Sequence, residues 1–353
     1  MRSLTIAVPS YQGRDDLTRL VGEAALQTER DQDGWSGVEL VIVIDGSGDG
    51  SAEALEAMRP PLPMQVIDQT NAGPAAARNR CLEAAAGEIT WFLDDDLVPE
   101  AGTLGRHRAA HQALGLRALL GPCALPAEVV LDEQTRQWWA ALHASRTSAG
   151  RIEHLSQFPV GVANLSGPTE LFRSIGGFDE SFPGYGLEDS DFVLRLMQAG
   201  VEIVYDPEAV CWHHTAVEVG RRLRRRRDEG RNTARFVHKH PGIAAGYFPV
   251  DYPSRALKLL DRAAIRSPRP LAATARLSEV GHRGSRLLAP VSARARRASD
   301  ALWRLALDAS YLAGVAEEGP ELLPMALGRP GQVAPHFAGP NTPGRAGVEE
   351  GSR

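Results

Sequence analysis

Four short apolar segments in the first 93 residues constrain the fold more than any other feature of the chain. They span residues 4–8, 38–44, 64–68 and 89–93, and helix-like stretches separate them. Strands that alternate with helices of about ten residues are typical of βαβ units and a parallel sheet. The segment at 38–44 is continuously apolar apart from Glu39, as in strands that are buried on both faces. The sequence therefore predicts an α/β fold with a mainly parallel central sheet flanked by helices.

Polar turns follow three of these segments directly. Pro9-Ser10-Tyr11 follows the first, Asp45-Gly46-Ser47 the second, and Asp94-Asp95-Asp96 the fourth. Open parallel sheets bind ligands at the carboxyl ends of their strands, so we expect a ligand site where these turns meet. No G-x-G-x-x-G follows the first strand and no G-x-x-x-x-G-K-[ST] is present. A dinucleotide fold and a phosphate loop of the NTPase kind are therefore not expected.

Two acidic clusters are candidates for the chemistry. Like charges as close as those of Asp94, Asp95 and Asp96 raise one another's pKa, and a divalent cation such as Mg²⁺ or Mn²⁺ relieves the repulsion. The alternative for this triplet is a solvated acidic turn. The second cluster, Glu188-Asp189, opens a helix in a glycine-rich setting, where acidic residues also complement the helix dipole. A metal that neutralises a diphosphate and a separate carboxylate base would together suffice for displacement at a sugar carbon.

Several motifs in order along residues 3–240 make the chain resemble the inverting family 2 glycosyltransferases, which have the GT-A fold. Each motif alone is weak, and their order and spacing carry the resemblance. They are Ile6-Ala7-Val8-Pro9-Ser10-Tyr11, Val41-Ile42-Val43-Ile44-Asp45-Gly46-Ser47-Gly48-Asp49-Gly50, Asn71-Ala72-Gly73-Pro74-Ala75-Ala76-Ala77-Arg78-Asn79, Gly87-Glu88, Phe92-Leu93-Asp94-Asp95-Asp96, Gly176-Gly177-Phe178-Asp179-Glu180 and Gly186-Leu187-Glu188-Asp189-Ser190-Asp191.

The resemblance implies a hexosyltransferase-type enzyme of cell-wall or polysaccharide biosynthesis that uses a nucleoside diphosphate sugar. It further implies a role for each matching residue. Asp189 would be the catalytic base and Glu188 would position the acceptor, a glycan, a lipid-linked molecule or a small molecule. The donor-binding residues would be Pro9, Ser10 and Tyr11 around the nucleobase, Asp45 on the base itself, Arg78 near the diphosphate, Asp94 on the ribose side, and Asp95 within the D-x-D pattern.

The resemblance also implies a Mn²⁺ or Mg²⁺ ion held by Asp96. His213 or His214 would supply a further ligand, and we favour His213 without excluding His214. The chain departs from the family at Ile44-Asp45, where two adjacent aspartates are common. This departure leaves the nucleobase selectivity open. Turn capping for Asp45 and a surface position for Arg78 remain alternatives.

Charge divides the chain. Residues 1–214 carry a net charge of −16 and residues 215–315 a net charge of +13. We expect a GT-A domain at 1–215, with a donor-binding half at 1–117 and an acceptor or catalytic half at 118–215. A basic, helical C-terminal extension is expected at 216–316, followed by a largely disordered tail at 317–353.

Cysteine usage and hydropathy bear on location. Three scattered cysteines form no metal spacing and indicate a reducing compartment. The N-terminus lacks the pattern of a signal peptide, and no run approaches the ~18 apolar residues of a membrane span. We expect a cytoplasmic protein, with peripheral association at the inner face of the membrane as an open alternative.

A run of six arginines in seven residues dominates the basic region. The run consists of Arg221, Arg222, Arg224, Arg225, Arg226 and Arg227. It is either a helix face that is solvated or turned towards the acidic front, or a surface for anionic lipid or a lipid-linked acceptor. Aromatic residues do not interleave with it and no nucleic-acid motif is present, so no nucleic acid is expected as a partner.

Two other functions remain open at this point. A sugar-phosphate nucleotidyltransferase would need an N-terminal loop that holds a triphosphate, and residues 9–14 offer little of that kind. A degenerate, non-catalytic module that binds a partner would not require both acidic clusters to be intact.

Overall fold

A computed structural model describes residues 2–30, 35–112, 117–126, 150–152, 161–214, 219–243, 268–286 and 293–326. The chain divides into two compact units, residues 1–218 and residues 219–353. The division falls after residue 218, whereas the charge pattern places it after 215. The sequence around Trp138-Trp139 favours a helix, but these residues lie outside the part of the chain that the structure describes.

Unit 1 begins with the four strands and three helices that the sequence predicts. They are β1 (Ser3–Ser10), α1 (Arg14–Arg30), β2 (Gly37–Asp45), α2 (Ser51–Ala57), β3 (Met64–Gln69), α3 (Pro74–Ala84) and β4 (Ile89–Leu93). Every residue of β4 is buried, and β2 is buried from Leu40 to Asp45. The continuous apolar run at 38–44 thus forms a strand covered on both faces, as predicted.

The second half of unit 1 adds shorter elements. They are β5 (Leu97–Pro99), α4 (Thr103–Gln112), β6 (Arg117–Leu120), β7 (Cys123–Ala124), β8 (Gly150–Ile152), β9 (Asn164–Pro168), α5 (Thr169–Ser174), α6 (Glu188–Gln198), β10 (Glu202–Tyr205) and β11 (Cys211–His213). The sequence at 160–165 favours a strand, but the structure begins β9 later, at Asn164. The polar residues Asn164 and Ser166 interrupt its apolar pattern and hide its true extent.

The main sheet has eight strands in the order β3-β2-β1-β4-β9-β6-β10-β8. Strands β1 to β4 are parallel, and β9 runs antiparallel between β4 and β6. A smaller sheet has the order β5-β11-β7, with β11 antiparallel to β5. The mainly parallel sheet is therefore confirmed, and its carboxyl edge collects the turns after β1, β2 and β4.

Unit 2 is helical. Its described elements are α7 (Val219–Lys239), a 3₁₀ turn (Pro241–Ile243), α8 (Pro268–Arg286), α9 (Ala293–Glu318), a second 3₁₀ turn (Pro320–Leu322) and α10 (Leu323–Ala326). The core of unit 2 includes Leu271 of α8, Val237 of α7 and Leu312 of α9.

The helices of unit 2 pass each other at very short distance. A Cβ on Gly230 of α7 would lie 2.0 Å from the Tyr311 carbonyl oxygen, and one on Gly314 of α9 would lie 2.0 Å from the Arg227 carbonyl oxygen. Two glycines that face each other's backbone let α7 and α9 cross in close contact.

The boundary at 317 that the sequence predicts for a disordered tail is too early. Residues 317–326 are helical, and Leu322 and Leu323 are buried in the core of unit 2. These two leucines provide the apolar anchors that composition alone does not reveal, because the Gly- and Pro-rich sequence begins only beyond them. The rest of the expected tail lies outside the described residues.

The arginine run lies on α7. Arg222 stacks on the Trp303 ring at 5.6 Å and Arg226 on the Tyr311 ring at 4.8 Å, while Arg227 pairs with Glu317. These partners belong to unit 2, so the contacts that we observe for these three arginines are intramolecular. Among the described residues, none of the helices combines the length and the apolarity that a membrane crossing requires.

Candidate active site

Arg78 is the centre of the candidate site. It lies on α3 and is buried, and its guanidinium contacts three carboxylates. Each of the closest nitrogen–oxygen distances, to Asp94, Glu188 and Asp189, is 3.0 Å. The fold therefore brings together the acidic cluster after β4 and the acidic cluster that opens α6.

The charge in this cluster is unbalanced. Burial alone would lower the pKa of Arg78, but the charges of Asp189, Asp94 and Glu188 raise it above its usual value. One cation thus faces three carboxyl groups in a place with little water. Such a cluster attracts a further cation or keeps a proton on one of its carboxyl groups.

Within this cluster, Asp189 is a carboxyl group whose pKa is raised. Burial raises the pKa of Asp189 to about 7 against the opposing charge of Arg78, and the charges of Glu188 and Asp94 raise it further. The Val162 N–H donates a hydrogen bond to the carboxylate and lowers its pKa. A carboxyl group tuned to neutral pH in this way suits a general base.

Glu188 keeps one oxygen available. Its Oε1 accepts a hydrogen bond from Arg78 at 3.0 Å, while the buried Oε2 has no hydrogen-bond partner among the described residues. A buried carboxylate oxygen without a donor is costly, and a ligand hydroxyl would satisfy it.

Aromatic rings form the floor of the site. The Arg78 guanidinium lies 5.5 Å from the centroid of the Phe178 ring, which stacks on Phe192 with a centroid separation of 4.2 Å. Phe92 of β4 packs edge-on against Phe178. This apolar support explains why the charges above it are poorly hydrated.

The three consecutive aspartates point to different partners. Asp94 contacts Arg78, whereas Asp95 accepts a hydrogen bond from the Ser10 hydroxyl at 2.6 Å. Burial raises the pKa of Asp95 to about 8 and the charge of Asp96 adds to the rise, while the Ser10 hydroxyl opposes it. A Cβ on Gly13 would lie 2.1 Å from the Asp95 carboxylate, so a larger residue there would displace that side chain.

Asp96 lies beside His213, and their side chains fit a divalent cation. His213 Nε2 is 3.3 Å from Asp96 Oδ2, because β5 and β11 are neighbours in the small sheet. Two ligand atoms at about 2.1 Å from one cation and near a right angle lie about 3 Å apart. A carboxylate oxygen and an imidazole nitrogen also suit Mn²⁺.

Among the described residues, no larger cluster of metal-ligating side chains surrounds Asp96 and His213. Within the described part of the chain, no group of three or more His, Cys, Asp or Glu side chains could hold a metal. The side chain of His214 is exposed, and its backbone N–H donates to the Asp96 carbonyl oxygen at 3.1 Å. The geometry thus puts His213, rather than His214, next to the carboxylate of Asp96.

Asp45 fastens the loop before α3. Its buried carboxylate accepts hydrogen bonds from the backbone N–H groups of Ala72 and Gly73 and from the Gln69 side chain, at 2.8–2.9 Å. This is more than the turn capping beside Gly46 that the sequence suggests. Ser10 is buried and Tyr11 is exposed at the neighbouring strand end.

Strained backbone flanks the site on both sides. Of the residues that the structure describes, the non-glycine residues with positive φ are Gln12 at 57° and Leu187 at 70°. Gln12 follows the Pro9-Ser10-Tyr11 turn and Leu187 precedes Glu188. Such strain persists where surrounding contacts impose it, and it is common next to functional groups.

A buried polar network that sequence reasoning missed lies behind β4 and β9. Asn164 Oδ1 accepts from the Trp91 indole at 3.0 Å and contacts His107, and the Ser166 hydroxyl contacts both His107 and His111. Burial lowers the pKa of His107 to about 3 and that of His111 to about 4. The i, i+4 spacing of the two histidines on α4 was the available signal.

Comparisons with known proteins show which families the chain is similar to. The sequence profile of glycosyl transferase family 2 matches residues 5–155, and that of the N-terminal domain of galactosyltransferase matches residues 142–214. The pre-mycofactocin glycosyltransferase of Mycobacterium tuberculosis is 27% identical over 249 residues, which cover 69% of this chain and 49% of that protein. The chain thus spans about half the length of this curated relative.

Solved structures share the fold. The mannosyltransferase PcManGT from Pyrobaculum calidifontis, in complex with GDP-Man and Mn²⁺, has a TM-score of 0.53 and 19% identity, covering 90% of this chain and 87% of its own. Staphylococcus aureus TarS 1-349, in complex with UDP-GlcNAc, has a TM-score of 0.53 and 19% identity, covering 87% and 90%. The fold is that of these GT-A glycosyltransferases. Residues 5–155 of the chain are thus similar to glycosyl transferase family 2.

Proposed function

We propose that this protein is a metal-dependent inverting glycosyltransferase in which Asp189 is the general base. It moves a sugar from a nucleoside diphosphate sugar to a hydroxyl group of a glycan, lipid-linked or small-molecule acceptor. The observation that carries this proposal is the position of Asp189, whose pKa is raised to about 7 beside Arg78, Glu188 and Asp94. A base of this pKa is deprotonated often enough at neutral pH and still accepts a proton readily.

The donor would lie along the carboxyl edge of the sheet. Pro9, Ser10 and Tyr11 with Asp45 would surround the nucleobase, and Asp94 and Asp95 would hold the ribose side. Asp45 already accepts three hydrogen bonds, so it contributes to this pocket chiefly by holding the loop at 71–73. The complexes of the neighbours with GDP-Man and with UDP-GlcNAc support a nucleotide-sugar donor without choosing the base or the sugar.

Asp96 and His213 would hold the divalent cation, either Mn²⁺ or Mg²⁺. When bound, the cation neutralises the charge that develops on the departing diphosphate. The complex of PcManGT with Mn²⁺ supports a cation of this kind.

The transfer needs one proton acceptor on the protein. The acceptor hydroxyl gives its proton to an Asp189 oxygen while its own oxygen forms the new bond to the anomeric carbon. The bond from that carbon to the diphosphate breaks, and the diphosphate leaves with the bonding electron pair. Glu188 would orient the acceptor by receiving a hydrogen bond at Oε2, which lacks a partner among the described residues.

Arg78 would act on both sides of this reaction. It holds Asp189 and Glu188 in place and keeps three carboxylates together, and its charge faces the region where the diphosphate departs. Arg78 would therefore position the base, and the resemblance also implies a place for it near the diphosphate of the donor.

Thermal-shift measurements with UDP-, GDP- and dTDP-sugars, with and without Mn²⁺, test this function. A ligand that binds the folded state raises the melting temperature by mass action. We expect a shift with at least one of these donors, larger when Mn²⁺ is present. No shift with any donor would contradict the proposal, and release of pyrophosphate from a nucleoside triphosphate and a sugar phosphate would indicate a nucleotidyltransferase instead.

A further inference from the structure

Three exposed arginines of unit 2 lie on α8, whereas most arginines of the α7 run whose side chains the structure describes are at least half-buried. On α7, Arg222 and Arg226 stack on aromatic rings of α9, and Arg227 and Arg231 both pair with Glu317. These arginines serve the contact between two helices. Among the described side chains of the run only Arg224 is exposed, so a row of exposed cationic side chains must be sought elsewhere in the unit.

Helix α8 presents a continuous outward stripe. Arg269, Arg276 and Arg283 follow one another at intervals of seven residues, which is close to two helical turns, so they share one face. Leu277 and Val280 lie on the same exposed face, with relative exposures of 74% and 68%. Among the exposed large apolar side chains, these two have the highest values.

The opposite face of α8 is packed and fixes this orientation. Leu271, Ala275, Ser278 and His282 are buried there. The His282 ring stacks on Trp303 of α9 with a centroid separation of 4.9 Å. The helix is therefore anchored through one face, and its arginines and two aliphatic residues point outwards.

We propose that this stripe of α8, Arg269, Arg276, Leu277, Val280 and Arg283, binds the surface of an anionic lipid bilayer. Arginine side chains reach lipid phosphates while their methylene stems lie along apolar surface. Leucine and valine beside them enter the boundary between headgroups and acyl chains, as in interfacial helices. Basic residues near an anionic surface add attraction residue by residue.

Charge favours a lipid surface over a second copy of the chain. Two copies of the stripe placed face to face would bring three arginines against three arginines. The acidic residue at its edge, Glu279, is already paired with Arg283 of the same helix. An anionic bilayer offers phosphates at any register and so matches the whole stripe.

Flotation of the full chain with lipid vesicles tests the proposal. We expect binding to vesicles that contain phosphatidylglycerol, a marked loss of binding at high salt, and little binding to pure phosphatidylcholine. Equal binding to both kinds of vesicle, or none to either, would overturn it.

Two variants locate the contact. Arg276→Gln should weaken vesicle binding about fivefold. Leu277→Ser combined with Val280→Ser should weaken it about tenfold or more at unchanged charge. The control is Arg224→Gln, which removes the same charge from an exposed position of α7 and should leave binding within about twofold of wild type.

Three outcomes would overturn the assignment to α8. The first is full binding by both α8 variants when circular dichroism shows unchanged helix content. The second is a loss with Arg224→Gln that equals the loss with Arg276→Gln. The third is a self-associated wild-type chain that becomes monomeric in the Leu277→Ser, Val280→Ser variant, since the stripe would then be an interface between copies.

Discussion

Arginine and carboxylate groups meet in both units, but in opposite proportions. In unit 1, the buried Arg78 faces Asp94, Glu188 and Asp189. In unit 2, the half-buried Glu317 receives both Arg227 and Arg231, and the pKa of Glu317 is lowered, because the hydrogen bonds from these arginines outweigh its burial.

This difference in charge balance distinguishes a functional site in unit 1 from ion pairs in unit 2 that only support the fold. Cations and carboxylates on α7 and α9 satisfy one another near solvent, so such pairs add little stability and need no ligand. The cluster around Arg78 holds an excess of buried negative charge that only a proton or an added cation relieves. We therefore place the function of the protein at the cluster around Arg78, where the charges do not balance.

The largest effect should come from removing the base. Asp189→Asn keeps the shape of the side chain but cannot take a proton at neutral pH, so we expect kcat for release of nucleoside diphosphate to fall by about 10²–10⁴-fold. The control is Asp206→Asn, which changes a pair with Arg106 outside the site. Undiminished turnover by Asp189→Asn would remove Asp189 from the mechanism.

The next prediction compares the buried Arg78 of unit 1 with the partly exposed Arg227 of unit 2. Arg78→Gln leaves the buried Glu188 and the partly buried Asp94 and Asp189 without their counter-charge, and it should lower the free energy of unfolding by about 3–5 kcal/mol. Arg227→Gln removes a partly exposed pair and should cost less than about 1 kcal/mol. Urea unfolding of both variants gives the two values, and similar losses would break the distinction between site and scaffold.

Close helix packing, and not ion pairing, should hold unit 2 together. Gly314→Ala forces a Cβ against the Arg227 carbonyl oxygen and should lower the free energy of unfolding by about 1–3 kcal/mol. Gly242→Ala is the matched control, since no atom lies within 4 Å of its added Cβ. A smaller loss for Gly314→Ala than for Arg227→Gln would reverse our view of this unit.

The last prediction concerns the pH dependence of kcat/KM. Asp189 acts as a base only when it is deprotonated, and its pKa is raised to about 7. We expect kcat/KM to rise about tenfold per pH unit at acidic pH and to level off above about pH 7. A profile that levels off near pH 4, the ordinary range of an aspartate, would show that the site does not raise this pKa.

The sequence predicts the sheet well and the details of the site less well. Continuous apolar runs ended by polar turns identify β1 to β4, because burial on both faces leaves a clear pattern. The sequence also indicates that the acids after β4 and those that open α6 act in one site. It does not reveal that Asp94, Asp95 and Asp96 turn to three different partners, since side-chain direction depends on neighbouring strands.

Contacts between distant segments explain what the sequence could not supply. The pairing of β5 with β11 brings His213 to Asp96, and nothing local to either segment encodes that approach. The arginine run is a second example. Its charge pattern is conspicuous in the sequence, but the sequence does not show that Arg222 and Arg226 stack on Trp303 and Tyr311. Local patterns predict elements, and only the fold assigns their partners.

The division of labour between donor binding and proton transfer is the central claim, and calorimetric titration tests it most directly. The affinity of Asp96→Ala and of Asp189→Asn for the donor would be measured with and without Mn²⁺. The donor would be the nucleotide sugar that gives the largest thermal shift. We predict that Asp96→Ala loses the gain in affinity that Mn²⁺ provides, whereas Asp189→Asn binds the donor nearly as well as wild type. Mn²⁺-dependent binding that survives in Asp96→Ala, or disappears in Asp189→Asn, would contradict the claim.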